Sequence, residues 1–219
     1  MRPGAGYALP VLVQDRADVW ALLGALLLQP SMSLLWSLAQ APSWPDDRQR
    51  VLVAAWQGLT QSARSLGAEA VQREHGALFY AVGIPLVDPY ASRYVGRSLM
   101  DRTLARLRAD LQALGQARRP RAAHTEDHLG ALCETMRLLI AGTEGLPRQP
   151  VPVQQRFFAA HLVPWTGACL QDIRQARGAN FYAALATFFE AFMEHECLAL
   201  ELDTALLPEF HDAHLAVPA

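Results

Sequence analysis

Apolar residues recur at every third or fourth position along most of this chain, and glycine, proline and small polar residues separate the resulting stretches. Such spacing gathers apolar side chains on one face of an α-helix, whereas a half-buried β-strand would alternate apolar and polar residues. The clearest stretch has leucine at positions 104, 107, 111 and 114, with Asp101 before it and Gly115 after it. No stretch alternates convincingly, so the sequence predicts an all-α fold of about nine to ten helices.

Capping residues predict where several of these helices begin. Ser31 is expected to cap a short helix, and Asn180 is expected to cap a long final helix. Thr125 is expected to cap a helix whose first turn carries Glu126 and Asp127. Acidic side chains are favourable in that turn because the N-terminal end of a helix is partly positive. The simplest interpretation of this acidic pair is therefore structural.

One polar, arginine-rich segment around Pro120 is the best candidate for a hinge. We therefore predict a single domain over residues 1–219 that consists of two lobes. The N-terminal lobe would cover about residues 15–117, the hinge about 118–125, and the C-terminal lobe about 126–205.

The composition excludes several classes of protein. Hydrophobic residues make up 52% of the 219 residues and charged residues 18%, which is typical of a folded globular chain. A formal charge of −2 gives no reason to expect nucleic-acid binding. The first residues, MRPGAGYALPVLVQDR, lack the apolar core of a signal peptide. The longest apolar run, Val19 to Leu28, falls well short of the roughly 20 residues that span a bilayer. We therefore expect a cytoplasmic protein without membrane insertion.

Catalytic and metal-binding motifs are missing from the sequence. It contains no GxSxG, Walker A or GxGxxG pattern. None of the 7 histidines follows a glutamate at the spacing that a di-metal site in a helical bundle requires. The cysteines at positions 133, 169 and 197 are far apart and are expected to be buried thiols. The sequence therefore predicts a protein that is not an enzyme and that holds no metal or cofactor.

Acidic residues are concentrated near the end of the chain, where the stretch from Asn180 to Ala219 contains no arginine. An acidic surface would attract an arginine-bearing partner, although a run of charges is more often a solvated helix face. We interpret the helical part of this stretch, FYAALATFFEAFMEHE, as a core-facing stripe with a solvated acidic face. The acidic residues are Glu190, Glu194, Glu196, Glu201, Asp203, Glu209 and Asp212.

Two polar and aromatic segments border the predicted hinge. The first is a long irregular stretch that contains Pro89, Tyr90, Ser92 and Tyr94, and loops of this length are often functional. Its tyrosines would either pack into the core or contact a peptide, since an aromatic ring buries area and keeps a polar tip. The second is the turn at 126–128, whose histidine can act as donor or acceptor. We predict that the segment 82–92 and the helix start at 126 lie close together and form a peptide-binding site.

Five segments, taken in order, resemble the TorD/DmsD family of chaperones. The stretch Arg16 to Pro30 is similar to the first helix of that family. The segments REHGALFYAVG and DPYASRYV resemble its E-Y-x-x-L-F and P-Y/W-x-S-x-Y/W pattern, with His75 where the family often has Tyr. The segments EDHLGALCETM, QQRFFAAHLVPW and ANFYAALATFFEAFMEHE resemble the elements that follow. The resemblance covers most of the chain.

The resemblance implies an all-helical, two-lobed cytoplasmic chaperone that is a monomer or a homodimer, in some members domain-swapped. Its partners would be the apoprotein and the twin-arginine signal peptide of a molybdopterin oxidoreductase. Binding would assist cofactor insertion and delay export. The NarJ branch, which serves a membrane-bound nitrate reductase, is the close alternative. An alternative of another class is a helical ligand-binding regulator, but no arginine-rich helix–turn–helix is visible.

The resemblance also implies which residues bind the peptide. A signal peptide carries an arginine pair before an apolar stretch, so its receptor needs an apolar groove with acidic groups at one end. Asp127, with Glu126 or the acidic final helix, is expected to face the arginines. The complete set of expected peptide-binding residues is Leu78, Phe79, Pro89, Tyr90, Ser92, Tyr94, Glu126, Asp127 and His128.

Overall fold

A computed structural model of the chain describes residues 16–44, 49–80, 84–95, 100–116 and 124–202. Within these ranges the regular elements are helices, accompanied by two isolated bridge pairs, so the predicted all-α fold is confirmed. The helices are α1 Arg16–Leu28, α2 Met32–Ala39, α3 Arg50–Leu66, α4 Ala68–Phe79, α5 Ala91–Tyr94, α6 Met100–Ala113, α7 Leu129–Ala141, α8 Val151–His161, α9 Thr166–Gln175 and α10 Phe181–Ala199.

Several helix boundaries follow the local signals in the sequence. The Ser31 hydroxyl accepts a hydrogen bond from the backbone N–H of Leu34 at 3.2 Å, as expected of a helix cap. Helix α7 ends at Gly142, whose φ of 71° is strained for any other residue. A Cβ atom at Gly142 would also lie 2.7 Å from the backbone nitrogen of Arg148. Only glycine therefore fits at this helix end.

Other boundaries differ from the prediction. Helix α6 begins at Met100, so Asp101 lies inside the helix and not before it. Helix α5 forms a single turn within the stretch that was expected to be irregular. The predicted hinge lies mostly outside the described residues, as do Asp203, Glu209, Asp212 and residues 82 and 83 of the predicted peptide-binding segment.

Helix α1 packs along α7 at the centre of the fold. The helices approach closely at Gly24 and Gly130, because a Cβ atom at Gly130 would lie 3.1 Å from the carbonyl oxygen of Gly24. The same Cβ atom would lie 2.7 Å from Cγ of Leu28. A glycine at position 130 is therefore what lets α1 reach the start of α7.

We expect Gly130→Ala to be less stable than Gly76→Ala by about 1–3 kcal/mol, because an added methyl group overpacks the contact between α1 and α7. Gly76 is the matched control: it also lies within a helix, but no atom lies within 4 Å of a Cβ placed there. Urea unfolding of both variants measures the difference. Equal free energies of unfolding would mean that the two helices can move apart at no cost.

Helix α10 packs against α3, α4 and α9 and completes the core. Trp20 of α1 contacts Phe189 and Phe192 of α10, and Trp56 of α3 contacts Phe188. Helices from both sides of the predicted hinge therefore pack directly on one another, and the division into lobes stays a prediction. None of the described helices is long and apolar enough to cross a membrane.

The start of α10 is capped by Glu74, a residue of α4, and not by the side chain of Asn180 as predicted. The Glu74 carboxylate accepts hydrogen bonds from the backbone N–H groups of Asn180 at 2.9 Å, Phe181 at 3.1 Å and Tyr182 at 2.8 Å. A carboxylate is favourable there because it meets unpaired N–H groups at the positive end of the helix. This contact ties α10 to α4, which leads to the candidate site.

The acidic face of α10 is only partly solvated, contrary to the prediction. Glu196 is 0% exposed, and its carboxylate accepts hydrogen bonds from the Arg16 guanidinium at 2.5 and 2.8 Å. The indole N–H of Trp20 donates a third hydrogen bond at 2.9 Å. A buried carboxylate requires such partners because it has lost its water. The ion pair joins the first described helix to the last.

Candidate functional site

The loop that follows α4 meets the turn that precedes α7. Tyr90 and His128 form an antiparallel bridge pair, and the backbone N–H of Leu129 donates to the Pro89 carbonyl at 2.8 Å. The backbone N–H of Val87 donates to the carbonyl of Leu78 at 3.1 Å, which holds the loop against α4. The predicted proximity of these two segments is therefore confirmed.

Asp127 joins the two segments through its side chain. Its residue is 1% exposed, and its carboxylate accepts hydrogen bonds from the Ser92 backbone N–H at 3.1 Å and the Thr125 hydroxyl at 2.5 Å. Its carbonyl oxygen accepts a further hydrogen bond from the N–H of Ala91 at 3.0 Å. The expected place of Asp127 in the first turn of α7 is wrong, because the helix begins two residues later. The side chain instead holds the start of α5.

His128 caps α7, in place of the predicted Thr125. Its Nδ1 atom accepts a hydrogen bond from the backbone N–H of Gly130 at 3.0 Å, so the ring proton lies on Nε2. Burial, together with the nearby ring of His124, lowers the pKa of His128 to about 3. The ring is therefore neutral at physiological pH and serves as an uncharged cap.

His124 connects two tyrosines at the surface. The Tyr80 hydroxyl donates to the carbonyl of Leu28 at 3.3 Å and lies 3.0 Å from Nε2 of His124. One neutral tautomer satisfies both tyrosines: Nε2–H donates to the Tyr80 oxygen, and Nδ1 accepts a hydrogen bond from the Tyr90 hydroxyl at 2.8 Å. The ring also lies 4.5 Å from that of His128. Sequence analysis assigned His124 to the hinge, since no local motif marked it as part of a site.

Leu78 and Phe79 lie in the core beneath this arrangement and do not face an open groove. Phe79 packs against Tyr182 of α10 and against His75, whose Nε2 lies 3.2 Å from the carbonyl oxygen of Leu27. Burial lowers the pKa of His75, so this ring is also neutral at physiological pH. The residues beneath the site are therefore buried, and His75 among them is uncharged at neutral pH.

Three apolar side chains in the segment that follows α4 are exposed to solvent. Tyr80 is 50% exposed, Ile84 is 85% exposed and Leu86 is 55% exposed. We call them the exposed apolar surface. Single exposed apolar residues are common, but three within seven positions of the sequence are what a loop that takes part in an interaction would expose.

Tyr94 and Glu126 are turned toward other partners. The ring of Tyr94 stacks on Trp165 at 5.6 Å, and its hydroxyl donates to the Asp172 carboxylate at 3.0 Å. Burial raises the pKa of Tyr94, so it stays protonated. Glu126 pairs with Arg108 of α6 at 3.2 Å. Both side chains are therefore bonded to residues of other helices, Tyr94 to α9 and Glu126 to α6.

Asp88 supplies the accessible carboxylate of the loop. Its side chain is 34% exposed and pairs with Arg93, itself 61% exposed, at 3.0 Å. Such an exposed ion pair contributes little to stability and exchanges readily with other charges. Among the residues that the structure describes, no group of three or more His, Cys, Asp or Glu is arranged to hold a metal ion.

Comparison with known protein families identifies the chain. Residues 46–171, more than half of its length, match the family described as the nitrate reductase delta subunit. The chain therefore belongs to this family of NarJ/TorD-type chaperones, which assemble molybdenum-containing oxidoreductases. The matched range includes the exposed apolar surface and the turn before α7. No curated protein matches the chain.

Proposed function

We propose that the exposed apolar surface, together with Tyr90 and His124, binds the twin-arginine signal peptide of a molybdopterin oxidoreductase. Binding retains the apoprotein in the cytoplasm until its cofactor has been inserted. The observation that supports this most strongly is the exposure of Ile84 and Leu86 in a loop that is otherwise fixed by hydrogen bonds to α4 and α7. A preformed surface loses little conformational entropy when a peptide binds.

The chemistry of such a peptide fits the residues at this surface. The apolar stretch of the peptide would cover Ile84 and Leu86, which removes their side chains from water. The arginines would lie on the faces of Tyr80 and Tyr90, where a guanidinium is attracted by the aromatic ring. Asp88 would pair with one of them in exchange for Arg93. Several modest contacts of this kind give the moderate affinity that a transient client requires.

Within this proposal Asp127 acts by position and does not touch the peptide. Both of its carboxylate oxygens accept hydrogen bonds from the chain itself, and the residue is buried. A guanidinium would have to displace Ser92 or Thr125 to reach it. We infer that Asp127 keeps the loop in the conformation that exposes Ile84 and Leu86.

We expect Ile84→Asn to weaken binding of a twin-arginine peptide by about tenfold, because the burial of one large apolar side chain contributes roughly 1.5 kcal/mol or more. Val51→Asn is the matched control: Val51 is 68% exposed, but it lies on α3 beside α10. Calorimetric titration gives both affinities. The proposed surface is wrong if Ile84→Asn binds as tightly as the wild type or if Val51→Asn is equally weakened.

A second function is favoured by the name of the matched family, which describes a subunit of nitrate reductase. In that case the client would be a nitrate reductase that needs assembly without export by the twin-arginine route. The same surface would then bind an apolar segment regardless of an arginine pair. A peptide with both arginines replaced by glutamine separates the functions, since it would bind weakly to a signal-peptide receptor and normally to an assembly chaperone of this second kind.

A further inference from the structure

His124 lies where the proposed peptide would meet the protein, and its protonation state is set by its neighbours. In the neutral ring Nε2–H donates to Tyr80 and Nδ1 accepts from Tyr90, so each ring nitrogen has the partner it needs. A second proton on Nδ1 removes the acceptor of the Tyr90 hydroxyl. The protonated ring would instead donate to the Tyr90 oxygen, so the contact is kept in both states, and the two states differ in the charge that lies between the tyrosines.

We propose that protonation of His124 and binding of the basic peptide exclude each other, so that the site releases its client as the pH falls. This inference rests on the proposed function, because it assumes that the arginines of the peptide lie over Tyr80 and Tyr90. A protonated imidazole between these two rings would place a positive charge beside the guanidinium groups. Like charges at such short distance repel each other.

The carboxylates that the structure describes in the loop and in the turn before α7 already have partners. Asp88 is paired with Arg93, and Glu126 is paired with Arg108. Asp127 is buried, and its carboxylate accepts hydrogen bonds from Ser92 and Thr125. Among the described residues, Tyr80, Tyr90 and His128 contact the His124 ring, and His75 acts on it electrostatically. The charged groups on neighbouring elements include Asp88 of the loop, Arg93 of α5, Arg108 of α6, and Glu126 and Asp127 of the turn before α7.

His124 is the most exposed of the three histidines in this group. Burial of His128 holds its pKa at about 3, and its ring is 2% exposed. The His75 ring is buried as well, with its Nε2–H directed to the carbonyl of Leu27. His124 is only partly buried, and this burial lowers its pKa below the usual 6.5. The site therefore binds at neutral pH and loses affinity as the pH falls through the pKa of His124.

The sign and the size of the effect follow from proton linkage. The peptide-bound protein holds fewer protons than the free protein, so the affinity rises with pH up to the pKa of His124 and is constant above it. Below that pKa the dissociation constant should increase by up to about tenfold per pH unit, since one proton is released for each peptide that binds.

The test compares affinities at about pH 7.5 and about pH 5, on either side of the usual histidine range. The peptide carries an arginine pair and no residue that titrates in this interval. We expect the dissociation constant of the wild type to be severalfold higher at the lower pH, and the ratio of the two constants to be close to one for His124→Gln, whatever the absolute affinity of that variant. His195→Gln is the matched control, because His195 lies on α10 against Phe192, and its ratio should equal that of the wild type.

Two further outcomes separate this inference from the proposed function. Wild-type protein that binds the peptide equally at both pH values would overturn the role of His124 and leave the peptide site intact. Wild-type protein that does not bind at about pH 7.5 would overturn both. If His124→Gln does not fold, nuclear magnetic resonance of the wild type decides instead: saturation with peptide should lower the pKa of His124 further, and an unchanged pKa would contradict the inference.

Discussion

Replacing Glu196 by alanine is expected to lower the free energy of unfolding by about 3–5 kcal/mol, a large part of the roughly 5–15 kcal/mol that holds a typical domain folded. The carboxylate is fully buried and bonds to both Arg16 and Trp20. Its removal leaves the Arg16 charge without a carboxylate, with only the Gln154 side-chain oxygen at 3.2 Å, at a site that is mostly closed to water. Breaking one side of a buried ion pair costs far more than losing an exposed one.

Glu194→Ala is the control for this experiment. Glu194 lies on the same helix but is exposed, so its loss should change the free energy of unfolding by less than about 0.5 kcal/mol. Denaturation by urea at neutral pH measures both variants. A Glu196→Ala protein as stable as Glu194→Ala would show that the link between α1 and α10 contributes nothing to the fold.

The second large effect is expected at Asp127, where two substitutions should differ. Asp127→Ala leaves the Ser92 N–H and the Thr125 hydroxyl without their acceptor. The loop that carries the exposed apolar surface then loses its fixed conformation, and we expect the peptide affinity to fall by about ten- to a hundredfold. Asp127→Asn retains an oxygen that can accept from Ser92 and an amide that can donate to Thr125, so it should lose only about threefold.

This pair of variants separates a positioning role from direct contact. If the Asp127 carboxylate paired with a peptide arginine, as the sequence led us to expect, asparagine would lose the charge and weaken binding as much as alanine. Asp88→Asn provides the complementary measurement by calorimetry. Its effect should shrink when the peptide arginines are replaced by glutamine, because both changes remove the same contact. Additive effects of those two changes would contradict the proposed contact with Asp88.

Local signals in the sequence were sufficient to predict much of the fold. Ser31 and Gly142 act within a few residues of their own helices, and a pattern of apolar residues at helical spacing identifies the buried faces. The proximity of the loop and the turn before α7 was also predicted, because both border the same connection in the sequence.

Contacts between distant residues account for what was missed. Glu74 caps a helix that begins more than one hundred residues later, and Glu196 pairs with an arginine 180 residues away. No spacing rule reports such a partner, so both carboxylates resembled ordinary solvated charges. His124 was missed for the same reason, since its role depends on two tyrosines that the fold brings to either side of its ring.

Amide hydrogen exchange of the full-length chain, with and without a twin-arginine peptide, tests the proposed site most directly. An apolar groove also lies between α3 and α10, lined by residues that include Val51, Gly58 and Glu194. We predict that the peptide slows exchange in residues 84–95 and 124–129 and leaves the groove between α3 and α10 unchanged. Protection confined to that groove, with residues 84–95 unaffected, would contradict the proposed site.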